Sequence, residues 1–106
     1  MGKLKLFEIL VPTKFNSGRP VRTKHHKEWD KFVHKLAGGL TLLKPVHGQW
    51  IADDGSCYED RVIPVRIACT DRQIAKIAKF SLKHYKQKAV LYYVLSQEVF
   101  VVEEKK

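Results

Sequence analysis

The apolar positions of this chain change period as they run, and those changes mark out its elements. Residues 3–11 are mostly apolar: Leu4, Leu6 and Leu10 share one strand face with Glu8, and Phe7, Ile9 and Val11 share the other. This is the pattern of a strand covered on both sides, bounded by Pro12-Thr13. Residues 14–24 are polar, carry Asn16-Ser17-Gly18 and Arg19-Pro20, and read as a loop. The period then becomes helical. Trp29, Phe32, Val33 and Leu36 recur at i, i+3, i+4 and i+7, with Thr23 placed to cap the start and Gly38-Gly39 to end the helix. Residues 40–46 predict a short strand, His47-Gly48 a turn, and residues 49–52 more extended chain. Asp53-Asp54-Gly55-Ser56 is a stronger turn signal.

Residues 58–69 predict a strand with Ile63, Val65, Ile67 and Cys69 on one face. Pro64 cannot donate to a ladder, so a bulge is expected there. Thr70-Asp71-Arg72-Gln73 matches a capping box, opening a second helix that buries Ile74, Ile77, Ala78, Leu82 and Tyr85. The last turn, Lys83-His84-Tyr85-Lys86, is cationic and complements the helix dipole. Residues 89–95 predict the final strand. Ser96-Gln97-Glu98 interrupts it, and residues 99–102 resume extended chain.

Strand, helix, strand, strand, helix, strand predicts an α+β fold: a ferredoxin-like β-α-β-β-α-β sandwich, an antiparallel sheet with two helices on one face. The 106 residues suit a single domain over 1–106, without repeat, low-complexity tract or linker. With 44% apolar and 29% charged residues the chain is too apolar for a disordered tail. Its core is small, so a second copy covering one face would help, and a homodimer is expected. Lys3 and Lys5 break the only apolar stretch near the start, so neither a signal peptide nor a membrane span is expected. Two cysteines, Cys57 and Cys69, make no disulfide framework and fit a reducing, cytoplasmic setting.

Three short motifs, Gly39-Leu40-Thr41-Leu42-Leu43, Gly48-Gln49-Trp50 and Tyr85-Lys86-Gln87-Lys88-Ala89-Val90-Leu91, resemble a small bacterial family of unknown function. Its pattern runs GLT-L, GQW, YK-Q, VL, and together with its spacing covers most of the chain from Trp29 onward. The resemblance implies the same ferredoxin-like fold and carries no activity with it.

Charge adds the most to this picture. Twenty Lys and Arg against eleven Asp and Glu leave +9, a surplus that attracts phosphates, acidic proteins or anionic surfaces and also keeps a small protein soluble. Arg72, Lys76, Lys79, Lys83 and Lys86, spaced by alternating fours and threes, lie along one face of the second helix. Such a stripe is a candidate track for nucleic acid or another polyanion, because like charges at these spacings repel and do not serve helix stability. The same residues also suit an ordinary solvated helix face. The loop before the first helix offers Arg19, Arg22, His25 and His26 for a small anion beside a helix N-terminus.

Aromatic residues Phe7, Trp50, Tyr58, Tyr92, Tyr93 and Phe100 intersperse the strands. RNA-binding modules of this fold stack bases on such rings, and core packing or a dimer interface uses them equally well. Tyr92 and Tyr93 point to opposite faces. No zinc-type pairing of His or Cys is present, and no cofactor is implied. No paired-carboxylate, Ser-His-Asp or Cys-His arrangement stands out, so the residues lean away from an enzyme. Three functions stay open: a polyanion-binding module, a homodimeric domain or enzyme with a small-anion site between the 14–26 loop and the sheet, and a protein-interaction domain.

Overall fold

In the first strand and the second half of the longest one, every other residue points into the core, and this fixes the architecture. The computed structural model describes residues 2–105. Its elements are β1 (Lys5–Pro12), α1 (Thr23–Ala37), β2 (Thr41–Leu42), β3 (Val46–Ile51), β4 (Cys57–Cys69), α2 (Asp71–His84) and β5 (Tyr92–Ser96). The sheet is antiparallel in the order β2-β4-β1-β5, and β3 pairs with β4 beyond β2, so β2 and β3 are two pieces along one edge. This is the ferredoxin-like order. Phe7 pairs with Ile67 and Ile9 with Val65, and all four are buried with Val11 and Cys69 under Trp29 and Val33 of α1 and Ile74 and Ile77 of α2. One sheet face therefore carries both helices, and the other carries Leu6, Glu8, Leu10, Pro64, Arg66 and Ala68.

The helix ends follow local rules. At the start of α2, Thr70 Oγ1 accepts from the Gln73 amide and the Gln73 side chain accepts from the Thr70 amide, the full capping box. Gln73 Nε2 also donates to the Leu36 carbonyl, tying α2 to the end of α1. Gly38 closes α1 in the left-handed conformation (φ 88°). The α1 start differs from expectation. Arg22 is the N-cap, because its carbonyl accepts from the His25 and His26 amides; Thr23 is the first helical residue and caps nothing. In α2, Ser81 rather than Leu82 is fully buried.

The strands depart from expectation in four places. His47-Gly48 is no turn: both lie within β3, opposite Arg61 and Asp60, because β4 is long enough to offer them a pairing edge. The break falls instead between β2 and β3, at Leu43, Lys44 and Pro45. That gap also explains Pro64, which makes no bulge and pairs in register with Leu10. Leu10 turns its amide to β5, donating to Leu91, while Pro64 turns away from β1 and its carbonyl accepts from Leu43. The missing N–H of Pro64 thus points toward the gap, where no strand needs it. The bulge sits elsewhere: the β1–β5 register passes from Phe7–Val94 to Leu6–Ser96 and leaves Leu95 extra. Finally, β5 begins at Tyr92, and residues 99–102 pair with nothing although they are apolar.

Candidate functional site

Three groups of side chains stand out: one along the helix face where the sequence sets it, one that the fold rearranges, and one that the sequence does not suggest. The first is the cationic stripe. Arg72, Lys76, Lys79 and Lys83 are exposed along α2, and Lys86 follows just beyond its end in a left-handed turn (φ 53°). Among the described residues none of the five pairs with a carboxylate. The only acid in the first turn, Asp71, is held by Lys5 Nζ at 3.0 Å.

The second group lies where the loop before α1 meets the end of α2. Here the four residues Arg19, Arg22, His25 and His26 separate. Arg19 and Arg22 are exposed on the loop. The loop closes on itself, with Phe15 donating to Arg19, Gly18 to Phe15 and Val21 to Thr13, so these amides are not free for an anion. His25 and His26 instead face α2. His25 Nε2 donates to the His84 carbonyl (2.6 Å), His84 Nε2 donates to the His25 carbonyl (2.7 Å), and the two rings stack at 3.8 Å. His26 Nδ1 lies 2.8 Å from the buried Tyr85 hydroxyl. Burial holds the His26 pKa below its ordinary value, partly offset by Asp30 and reinforced by His25 and His84. Burial likewise pushes the Tyr85 hydroxyl up, with Asp30 adding to it. Below them Trp29 Nε1 donates to Ser81 Oγ, which donates to the Ile77 carbonyl. This cluster joins two helices.

The third group sits on the open sheet face and was not foreseen. Glu8, the one acid of β1, is only 8% exposed. Arg66, its cross-strand partner, donates from Nε to Glu8 Oε1 at 3.1 Å, and the Tyr93 hydroxyl donates to Oε2. That bond, with burial and the Glu8 charge behind it, raises the Tyr93 pKa against the opposing pull of Arg66. Tyr93 is thus the outward ring of its pair, whereas Tyr92 packs edge-on against Phe7 on the helix side. Beside Arg66 lies a shallow cleft of about 250 Å³, lined by Leu6, Ala37, Gly39, Leu40, Thr41 and Ala68. The alternation that set Glu8 among leucines on an outward face was the available signal. What sequence could not supply was the register placing Arg66 opposite.

On the β3–β4 hairpin Trp50 stacks on Tyr58 at 4.7 Å, both about half exposed. Among the described residues no three of His, Cys, Asp and Glu converge as for a metal ion. Nor, among these residues, is any helix long and apolar enough to cross a membrane.

No family model and no curated protein matches the chain, so the three motifs of the sequence gain no family assignment. Solved structures do match. The divalent cation tolerance protein Cut A1 from Thermus thermophilus aligns with a TM-score of 0.64 at 12% identity, covering 96% of this chain and 87% of that one. CutA1 from Oryza sativa aligns at 0.68 and 11%, covering 94% and 84%. A phage SAM lyase in complex with S-methyl-5'-thioadenosine aligns at 0.68 and 11%, covering 93% and 85%. At these identities the likeness is one of fold: the chain has the ferredoxin-like architecture of the CutA1 proteins.

Proposed function

We propose that this chain is a non-catalytic binding domain that works as a homo-oligomer, with copies of itself covering the open sheet face and the residues after β5. The carrying observation is excess surface. A folded monomer of this length is expected to expose about 6,100 Å², whereas this chain exposes 8260 Å². Its radius of gyration is 15.1 Å, against about 13 Å for a compact domain of that length. The excess, about 2,000 Å², exceeds the roughly 800 Å² per partner of an ordinary stable interface. Much of it is apolar: Leu91, Leu95, Trp50 and Tyr58 are half-exposed, and Phe100 and Val102 are 83% and 95% exposed. A stretch of that kind, left unpaired next to the edge strand β5, gains most by pairing with and packing on a second copy. Both cysteines are free, and Cys57 is exposed, which suits the reducing cytoplasm.

The test is molar mass by light scattering after size exclusion. Wild-type protein is expected at a discrete multiple of the chain mass, insensitive to salt, and a double variant Leu95→Arg, Phe100→Arg at the monomer mass with unchanged circular dichroism. A wild-type monomer at micromolar concentration sinks the proposal.

A second reading rests on the unpaired stripe. Arg72, Lys76, Lys79, Lys83 and Lys86 lie on the helix layer, away from the open face, so an assembled protein still presents them to a nucleic acid or other polyanion. The cation tolerance in the CutA names is not carried over, since no donor cluster among the described residues of one copy supports it.

A further inference from the structure

We propose that the cleft beside Arg66 binds a small oxyanion, a carboxylate or a phosphate, through the free end of the Arg66 guanidinium. Arg66 is not a loose surface side chain. Its Nε is fixed on Glu8, whose second oxygen is taken by Tyr93, so the plane of the guanidinium is set before any ligand arrives. Among the described residues its two terminal amino groups have no partner, and the side chain stays 46% exposed along the cleft. A guanidinium held through Nε with both terminal groups open can grip a carboxylate or phosphate with two bonds at once. Thr41 pairs directly across from Arg66 and brings a hydroxyl to the same rim.

Gly39 supplies an independent observation. Gly38 needs its left-handed conformation to end α1; Gly39 does not, since its φ lies outside that region. Nor does packing require it, because a Cβ there would meet nothing within 4 Å. A larger residue would therefore fit this position in the free protein without a clash. Gly39 lines the cleft together with the small Ala37 and Ala68 and the larger Leu6, Leu40 and Thr41, and its missing side chain leaves that rim open to a ligand. A cleft of about 250 Å³ suits a small metabolite and not a nucleotide polymer. All lining residues belong to one chain; because Leu6, Arg66 and Ala68 lie on the face proposed for assembly, the cleft is tested both in the assembled protein and in the monomeric variant.

The experiment is a two-dimensional amide NMR titration with inorganic phosphate and, separately, succinate, against chloride at matched ionic strength. The expected result is saturable shifts at Gly39, Leu40, Thr41 and Arg66 with at least one of the two. The tighter of them distinguishes phosphate from carboxylate recognition. Arg66→Gln is expected to weaken binding about tenfold or more, as loss of a charge-assisted pair does. That variant leaves Glu8 unpaired, so Gly39→Val is the decisive companion: it leaves the Glu8–Arg66–Tyr93 set intact and fills the cleft, and is expected to weaken binding similarly in a folded protein. Undiminished affinity in Gly39→Val, or shifts confined to the α2 lysines, or no saturation with either anion, overturns the proposal. Repeating the titration on the Leu95→Arg, Phe100→Arg variant separates this result from the fate of the assembly.

Discussion

At the scale of single residues, stability is concentrated where polar atoms are buried with one partner each. Trp29 is 1% exposed, and its Nε1–H has Ser81 Oγ as its acceptor. Ser81→Ala removes little volume but strands that donor. The expected cost is about 1–3 kcal/mol, read as a lower urea midpoint with unchanged m-value. Ser81→Thr, which keeps the oxygen, is expected to cost less. His26 gives a pH dependence of definite sign. Its pKa in the folded protein is depressed by burial below the ordinary 6.5. As pH falls through that ordinary value the unfolded chain takes up a proton that the folded chain resists, so stability is full above it and declines below, until the depressed native value is passed. Asp30, whose pKa burial raises, has the opposite slope and acts in the lower carboxylate range. Unfolding free energy measured from pH 8 to 5 is therefore expected to fall, and His26→Asn, which keeps a hydrogen-bonding group toward Tyr85, to flatten that fall. An equally steep profile in the variant would show that another group carries it.

At the scale of elements, what was legible in sequence were features written in local order. The capping box at Thr70 and Gln73, the glycine stop at Gly38, the turn at Asp53–Ser56 and the inward alternation of Ile63, Val65, Ile67 and Cys69 all depend on neighbours within a few residues. Thr70→Ala accordingly has a predictable effect, about 1 kcal/mol from the lost cap, with a further share because the box positions Gln73 against Leu36. A thermal midpoint unchanged within error would mean the cap is redundant. The features that were misread depend on partners far away in sequence. His47-Gly48 carries a turn signature, yet the 13-residue β4 holds it straight. Pro64 signals a bulge, yet it faces a gap between two short strands that its own sequence does not announce. Arg19, Arg22, His25 and His26 look like one cationic loop. The helix crossing sends the two histidines to α2, to the His84 carbonyl and the Tyr85 hydroxyl, and leaves the arginines outside. The Glu8–Arg66 pair is the same lesson reversed: a site made by register between residues 58 positions apart, which only the β1–β4 pairing discloses.

At the scale of the whole molecule, charge and apolar surface occupy different sides. The layer of α1 and α2 presents Lys24, Lys27, Lys31 and Lys35 together with the α2 stripe, against Glu28, Asp30 and Asp71. Acidic residues collect instead on the β3–β4 hairpin, at Asp53, Asp54, Glu59 and Asp60. The exposed apolar groups lie away from the helix stripe, on the β3–β4 hairpin (Val46, Trp50, Ile51, Tyr58), on β5 and on the residues after it. This division lets the two proposed interactions be tested apart, since removing helix charge leaves the assembly surface untouched. Lys76→Gln, Lys79→Gln, Lys83→Gln in one chain exchanges exposed lysines for another good helix former, so fold and molar mass are expected to stay as in the wild type. If the stripe is a polyanion track, anisotropy with labelled single- and double-stranded oligonucleotides over a salt series should show a steep wild-type dependence. Each lost phosphate contact should lower the logarithmic slope by roughly 0.7 to 0.9, and the three together by roughly 2 to 2.7. The loss should be uniform across sequences, because lysines aligned on a helix face meet phosphates and read no bases. An oligonucleotide affinity that is weak at low salt in the wild type, or a slope the triple variant leaves unchanged, would assign the net charge of +9 to solubility. It would leave the open sheet face and the Arg66 cleft as the working surfaces of this domain.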